Sequence, residues 1–311
     1  MALFLVTGGA GFIGSHLCER LLGAGHRVRV LDDLSTGHRR NVPDGAEFCL
    51  GSVTDPDAVR AAFAGVDGCF HLAAIASVQR SNEDWLGTHD VNLTGAIRIF
   101  DAAARMEQGP VPVVYASSAA AYGDSPDLPL SEASPVRPLT AYGADKLGCE
   151  QHGRVGWLVH GVPSTGFRFF NVYGPRQDPK SPYSGVISIF TSRLLGGQTL
   201  TIFGDGSQNR DFVYVGDVVS HMVAAMEQAV PDARVFNVCT GRSTTVLELA
   251  QVLGDIVSVT PEICFAAPRP GDIHSSLGNP EKAAAALGVR AQTSLRDGLA
   301  ETIAFQRRFP D

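Results

Sequence analysis

A phenol and an ammonium stand four residues apart in Tyr142-Gly143-Ala144-Asp145-Lys146. On a helix that spacing puts both on one face. A free tyrosine titrates near pH ~10, and a nearby cation favours its phenolate. Tyr142 beside Lys146 is therefore a candidate base for taking a hydroxyl proton near neutral pH. Two more hydroxyls, Ser117 and Ser118, close an apolar run. Ser118 is a candidate to bond the reacting hydroxyl or to relay its proton to Tyr142. Ser117 reads as a strand-end serine bonded to backbone.

A second group of residues suits a phosphate-bearing ligand. Thr7-Gly8-Gly9-Ala10-Gly11-Phe12-Ile13-Gly14 follows directly on an apolar run and opens a helical pattern. There Gly8 permits a tight turn, Gly11 lets backbone approach a pyrophosphate, and Gly14 lets helix pack on strand. The free N–H groups at the start of that helix, around Phe12 and Ile13, would face the phosphates. Asp32, 18 residues past Gly14, is placed to hold the adenosine ribose hydroxyls of a dinucleotide. A carboxylate disfavours a 2′-phosphate, which points to NAD over NADP. His38, Arg39 and Arg40 read as a solvated loop, although such residues also suit that phosphate. Leu72-Ala73-Ala74 ends a further run where the dinucleotide would pass. The charge of an oxidised nicotinamide would add to that of Lys146 in favouring the Tyr142 phenolate.

These residues need strands that end together and helices that begin there. Leu3–Thr7, Arg27–Asp32, Glu47–Leu50, Gly68–Leu72, Val111–Ser117 and Ser164–Phe169 read as strands. Residues 12–24, 55–64, 88–107 and 139–156 read as the helices between them. Repeated β-α-β units predict an α/β fold, a Rossmann-type doubly wound parallel sheet with helices on both faces. Ligands of such sheets lie outside the carboxyl ends of the strands. After Asn171 the texture turns rich in Pro and Gly, so residues 1–172 are expected to form the dinucleotide-binding domain. Residues 173–311 would be a smaller mixed α/β domain, with segments around 211–240 packing back on the first.

Composition bounds the function classes. Of the 311 residues 44% are hydrophobic and 18% charged, enough for a large core and unlike a disordered chain. A net charge of −7 argues against nucleic acid or an anionic membrane surface as partner. No apolar run reaches the ~18 residues of a membrane helix, and the opening Met1–Val6 reads as a strand rather than a signal peptide. The six cysteines are scattered with no CxxC pair, so no metal site is expected and a reduced, cytoplasmic setting is.

Taken together, Thr7–Gly14, Ser117–Gly123, Tyr142–Lys146, Arg168–Arg176 and Arg210–Val213 resemble the extended short-chain dehydrogenase/reductase family. Within it they are similar to the nucleotide-sugar 4-epimerases, the group typified by UDP-glucose 4-epimerase, from the first strand to about Ser276. The resemblance implies a UDP-sugar substrate whose diphosphate Asn171 binds and whose phosphates pair with Arg210 and Arg269. It implies Asp272 on the substrate ribose, Phe203 by the uracil, and Asn92 near the cofactor. Ser52 and Val53 would lie at the adenine, where the family usually has an aspartate in place of Ser52, so that contact should be weaker or different. Ala76 replaces a lysine of some relatives and Ser184 an asparagine. Ser276 would border the sugar's 2-substituent, and a small residue there leaves room for an N-acetyl group. Dehydratases of this family carry an Asp-Glu pair where Ala119 and Ala120 stand, and decarboxylating relatives a glutamate, which leaves 4-epimerisation of a UDP-hexose through a 4-keto sugar. Another nucleotide sugar such as UDP-glucuronate is the alternative, and a non-catalytic NAD(P)-binding regulator a further one, which the Tyr142–Lys146 pair opposes. The family further implies a homodimer built on helices 88–107 and 139–156, with Val91, Ile97, Ile99 and Phe100 as the apolar stripe.

Overall fold

Strands that are apolar and buried on both faces need a covering layer on each side. Leu3–Thr7 (β1), Gly68–His71 (β4) and Ser164–Phe169 (β6) are buried at every position in the computed structural model, which describes residues 1–177, 185–268 and 273–309. With Arg27–Asp32 (β2), Glu47–Leu50 (β3), Val113–Ser118 (β5) and Ala233–Val238 (β11) they form one sheet. Its seven strands are all parallel, in the order β11-β6-β5-β4-β1-β2-β3. The order reverses between β1 and β4, and Thr7 pairs with both Leu31 and His71 at the carboxyl edge. The crevice of a doubly wound sheet opens at such a point.

Phe12–Gly23 (α1) and Val215–Glu227 (α8) cover one face, around Val6, Leu17, Val30, Phe70 and Met222. Pro56–Phe63 (α2), Gly95–Ala104 (α5) and Ala141–His160 (α6) cover the other, around Leu5, Phe63, Ile99 and Tyr115. β5 begins two residues later than its apolar run, because the Val111 N–H turns back to Ala103 O and Pro112 has no N–H to give a ladder. α6 starts where the Thr140 hydroxyl accepts from Gly143 N, and it runs on through Gly156 until Gly161 at φ +70° ends it.

The stretch 88–107 is not a single helix. Val78–Glu83 (α3) and Trp85–His89 (α4) precede a π-turn at Asp90–Thr94, and only then does α5 begin. The wider turn swings Asn92 inward, 1% exposed, where both ends of its amide bind the Ile75 backbone. Apolar periodicity carries no mark of such an inserted residue.

Asn171–Tyr173 (β7) leaves the sheet and pairs in parallel with Phe212–Tyr214 (β10). Beyond it lies a second core of Tyr173, Ile187, Phe190, Leu200, Leu249, Leu253 and Leu299. Val186–Leu195 (α7), Val246–Val257 (α9) and Leu295–Arg308 (α11) build it, with the parallel pair Leu200–Phe203 (β8) and Ile263–Ala266 (β13). Asn209–Arg210 (β9) pairs with Thr244–Thr245 (β12), and Glu281–Leu287 (α10) lies against β11. No helix among the described residues is long and apolar enough to cross a membrane.

Candidate active site

The turn after β1 is shaped by what its glycines lack. Gly8 has φ +72°, and a Cβ on it would lie 2.7 Å from Ala73 N. A Cβ on Gly14 would lie 2.2 Å from Gly8 O, so helix and turn pack backbone to backbone. Gly11 differs: a Cβ there would meet only Gly8 O, at 3.2 Å, with its outer side open. Gly11 caps α1 without a side-chain bond, and no acid stands in the first turn of Phe12, Ile13 and Gly14. The amides at this end are left for an anion. Asp32 is buried, its two oxygens accepting from Ala10 N at 2.9 Å and Leu34 N at 2.8 Å. Burial pushes its carboxyl up, against the pull of those two bonds. Each oxygen keeps a lone pair, suited to ribose hydroxyls. A dinucleotide thus fits the residues here: open glycine backbone, uncapped amides and an acceptor carboxylate at one strand edge.

Thr7 ties this turn to β4. Its hydroxyl oxygen accepts from Leu72 N and Ala73 N, both at 3.2 Å, and its one proton goes to His71 Nδ1 at 2.8 Å. Burial, with the charge of Lys146, holds His71 down to about 3, so the imidazole is neutral. Ala74 follows, half-buried, and Asn92 fixes the loop at Ile75. The Ser52 hydroxyl accepts from Thr54 N and Oγ1, whereas the Val53 side chain is buried in the core against α5 and leaves only backbone to a ligand.

Tyr142 and Lys146 open α6. Lys146 is 4% exposed, its ammonium donating to Ala116 O at 3.1 Å and lying 5.8 Å from the Tyr142 ring centroid. Ser81, fully buried on α3, accepts from Tyr142 N at 3.2 Å and donates to Val78 O. The next residue explains how close α6 comes to the turn after β5: a Cβ on Gly143 would lie 2.6 Å from Ala120 O. Ala120 N in turn donates to Ser118 Oγ at 3.1 Å. Tyr142, Lys146 and Ser118 therefore share one corner at the carboxyl edge, with the Ser118 proton left to donate. Ser117 does not bond backbone as expected; it donates to Glu150 of α6, because its side chain alternates to the helix-covered face.

The remaining candidates lie across the β7–β10 pair. Asn171 is exposed, its N–H on Asp211 O at 3.0 Å. Arg210 donates to Asn209 O at 2.8 Å and His274 O at 3.3 Å. Ser276 N donates to Asn209 O at 3.2 Å, so Ser276 and Arg210 belong to one strand-like assembly. Phe203 ends β8, half-buried, its carbonyl accepting from Gln208 Nε2 at 2.6 Å. Arg269 and Asp272, like Ser184, lie outside the described residues. Asp211, unremarked beside Arg210, is fully buried and accepts from Thr240 N and Oγ1 and from Gly241 N, which knits β10 to the end of β11. His71, Ser81 and Glu150 also escaped the sequence reading, and Thr7 was read only as the end of β1 and the start of the glycine motif. Of these only Glu150 carried a signal, eight residues past Tyr142 on the same helical face.

Comparison with known proteins agrees with this geometry. A family model, the NAD dependent epimerase/dehydratase family, matches residues 4–239. The UDP-glucose 4-epimerase of Mycolicibacterium smegmatis is 40% identical over 97% of this chain and 98% of its own. The crystal structure of Thermotoga maritima UDP-glucose 4-epimerase with UDP-glucose superposes with a TM-score of 0.95 at 36% identity, over 99% of this chain and 100% of that one. The UDP-glucose 4-epimerase of Thermus thermophilus, in complex with NAD, gives 0.90 at 37% identity, over 98% and 99%. With its glycine turn, the Asp32 carboxylate and the Tyr–Lys helix at one sheet edge, this chain belongs to the NAD dependent epimerase/dehydratase family.

Proposed function

We propose that the chain is an NAD-dependent UDP-hexose 4-epimerase, interconverting UDP-glucose and UDP-galactose through a 4-keto sugar. The observation that carries this reading is the corner of Tyr142, buried Lys146 and Ser118, beside Ala119 and Ala120, which offer no acid for eliminating water. Ser118, with one lone pair engaged by Ala120 N, orients the 4-hydroxyl. Tyr142 takes the hydroxyl proton and later returns it. Lys146 sets a buried positive charge beside the Tyr142 ring. NAD, when bound, supplies a hydride acceptor and donor for the same carbon. Gly8, Gly11, Gly14 and Asp32 would hold it, and Asp32 favours NAD over NADP. Inversion requires the 4-keto sugar to turn in its pocket before reduction.

Asn171 and Arg210 are read as diphosphate ligands, and Phe203 as a wall for the uracil, with Arg269 and Asp272 beside them. Residues 1–172 are read as the dinucleotide half, with α8 and β11 packing back on it, and the rest of 173–311 as the nucleotide-sugar half. Ser276 favours a second substrate class, the N-acetylated sugars, because it is small and sits next to Asn209 and Arg210. A homodimer is supported by exposed apolar side chains, Trp85 and Leu86 beside the start of α6 and Leu158 and Val159 near its end, between 65% and 79% accessible. Of the expected stripe, Ile99 and Phe100 instead face the core. The six unpaired cysteines suit a reducing compartment such as the cytoplasm.

The test is conversion of UDP-galactose, followed by NMR. Tyr142→Phe should abolish turnover and leave NAD bound, since it removes the base and keeps the ring. A folded wild-type protein inert toward a panel of UDP-sugars, or an active Tyr142→Phe, would refute the reading.

A further inference from the structure

Behind Ser118 lies a buried ion pair that the chemistry above does not use. Glu150 takes both arms of Arg168 from β6, Nε to Oε1 at 2.8 Å and one terminal nitrogen to Oε2 at 2.6 Å. The two side chains are 4% and 7% exposed. The Ser117 hydroxyl donates to the same Oε1 at 2.5 Å. On its other side the Arg168 guanidinium lies 4.6 Å from the centre of the Tyr122 ring, whose hydroxyl donates to Asn237 of β11 at 2.6 Å. Sealed charge pairs are weak evidence of stability, since apolar side chains of similar volume often serve as well or better. The placement supplies another reason for this one. Lys146 and Glu150, one helical turn apart on α6, bind Ala116 and Ser117, consecutive residues of β5, and the next residue is Ser118.

We propose that Glu150, clamped by Arg168, is a positioning residue that acts through Ser117 to fix Ser118 for the reaction. This rests on the reading of Tyr142, Lys146 and Ser118 as the catalytic groups. Glu150 touches no reacting atom; it holds the strand end that carries one.

The test is Ser117→Ala in two backgrounds, on the NAD-loaded enzyme. In the enzyme with Ser118 intact it lowers kcat about tenfold with KM unchanged, as loss of alignment predicts. In a Ser118→Ala background the same change lowers the residual kcat less than about twofold, since the group it positions is gone. The double variant Glu150→Leu with Arg168→Met, which replaces the pair by apolar side chains, shows the same background dependence and serves if Ser117→Ala does not fold. Wild-type kcat in these variants, or an equal loss in both backgrounds, overturns the proposal. Wild type and Tyr142→Phe are assayed alongside. An active wild type with an inactive Tyr142→Phe keeps the catalytic reading whatever Ser117 does, whereas failure of those controls strikes that reading itself.

Discussion

Adding one methyl group at each of two glycines separates holding the turn from holding the cofactor. At Gly14 the new Cβ would lie 2.2 Å from Gly8 O and 2.8 Å from Gly9 Cα, more than an ångström inside ordinary contact at the carbonyl. The obstacle is backbone on both counts, so no side-chain rotation relieves it. Alanine in a helix gains about 1 kcal/mol over glycine. Overpacking costs about 1–3 kcal/mol, and a rigid neighbour puts this site at or above the upper end. The net is about 2 kcal/mol of destabilisation, or about 4 °C in melting temperature for a chain of this size. At Gly11 the Cβ meets one atom at 3.2 Å and otherwise open space. Gly11→Ala should melt within about 1 °C of wild type when stripped of cofactor, because the one neighbour, Gly8 O, has to give by only a few tenths of an ångström. Its affinity for NAD should fall at least about tenfold, because the methyl occupies the side a pyrophosphate would approach. Scanning calorimetry with and without added NAD, with titration of the stripped protein, reads both effects. A Gly14→Ala protein as stable as wild type would refute the packing argument. A Gly11→Ala protein with wild-type NAD affinity would refute the assignment of the cradle.

His71 is neutral in the folded protein and titrates normally when unfolded, so the unfolded chain binds the extra proton between about pH 6.5 and 3. The sign follows: His71 contributes stability above pH 6.5 that is lost as pH falls, by up to about 1.4 kcal/mol per unit. His71→Asn, which keeps an acceptor for Thr7, should flatten that slope in urea titrations, and an unchanged slope would sink the argument. Ser276→Tyr should lower kcat/KM for UDP-N-acetylglucosamine at least about tenfold more than for UDP-glucose, since overpacking strikes the larger substituent. Equal losses on both would mean that Ser276 is not the gate. Leu158→Asp with Val159→Asp should convert a dimer of about 66 kDa, twice the 32.9 kDa chain, to monomer by light scattering; a wild type already monomeric at micromolar concentration removes the dimer.

The centre of the sheet was legible because β1 and β5 are apolar runs closed by Gly or Ser and β2 alternates up to Asp32, with a turn signal after each. β11 was not read as a strand of that sheet, for Ala233–Val238 carries Arg234 and Asn237 within it. Their side chains have partners that only the folded chain supplies, Thr165 and Gln228 for one and Leu130 for the other. Among site residues, those proposed to meet ligand stood out by type and spacing, as Tyr142 and Lys146 do. Those that hold them did not. Ser81 bonds the backbone of Tyr142 from 61 positions away, and Thr7 fixes the loop after β4 across a strand pair, contacts set by topology rather than local pattern. Asp211, next to Arg210 in sequence, carried no local mark of its place as a buried acceptor for three donors from Thr240 and Gly241.

The late arrival of β11 bears on how the chain comes to be folded during synthesis. β6 ends at Phe169, and the strand that covers its outer edge is not complete until Val238. In the interval the ribosome delivers β7, α7, β8 and β10, while α9, β13 and α11 of the second core are still to come, and β6 presents an open row of N–H and C=O groups, the kind of edge that recruits foreign strands. A nascent chain stalled in that window, or a protein cut near residue 172, would be left with an unsatisfied edge rather than a free-standing dinucleotide domain. Fragments of this protein should accordingly aggregate when they end between β6 and β11 and become soluble once β11 is included.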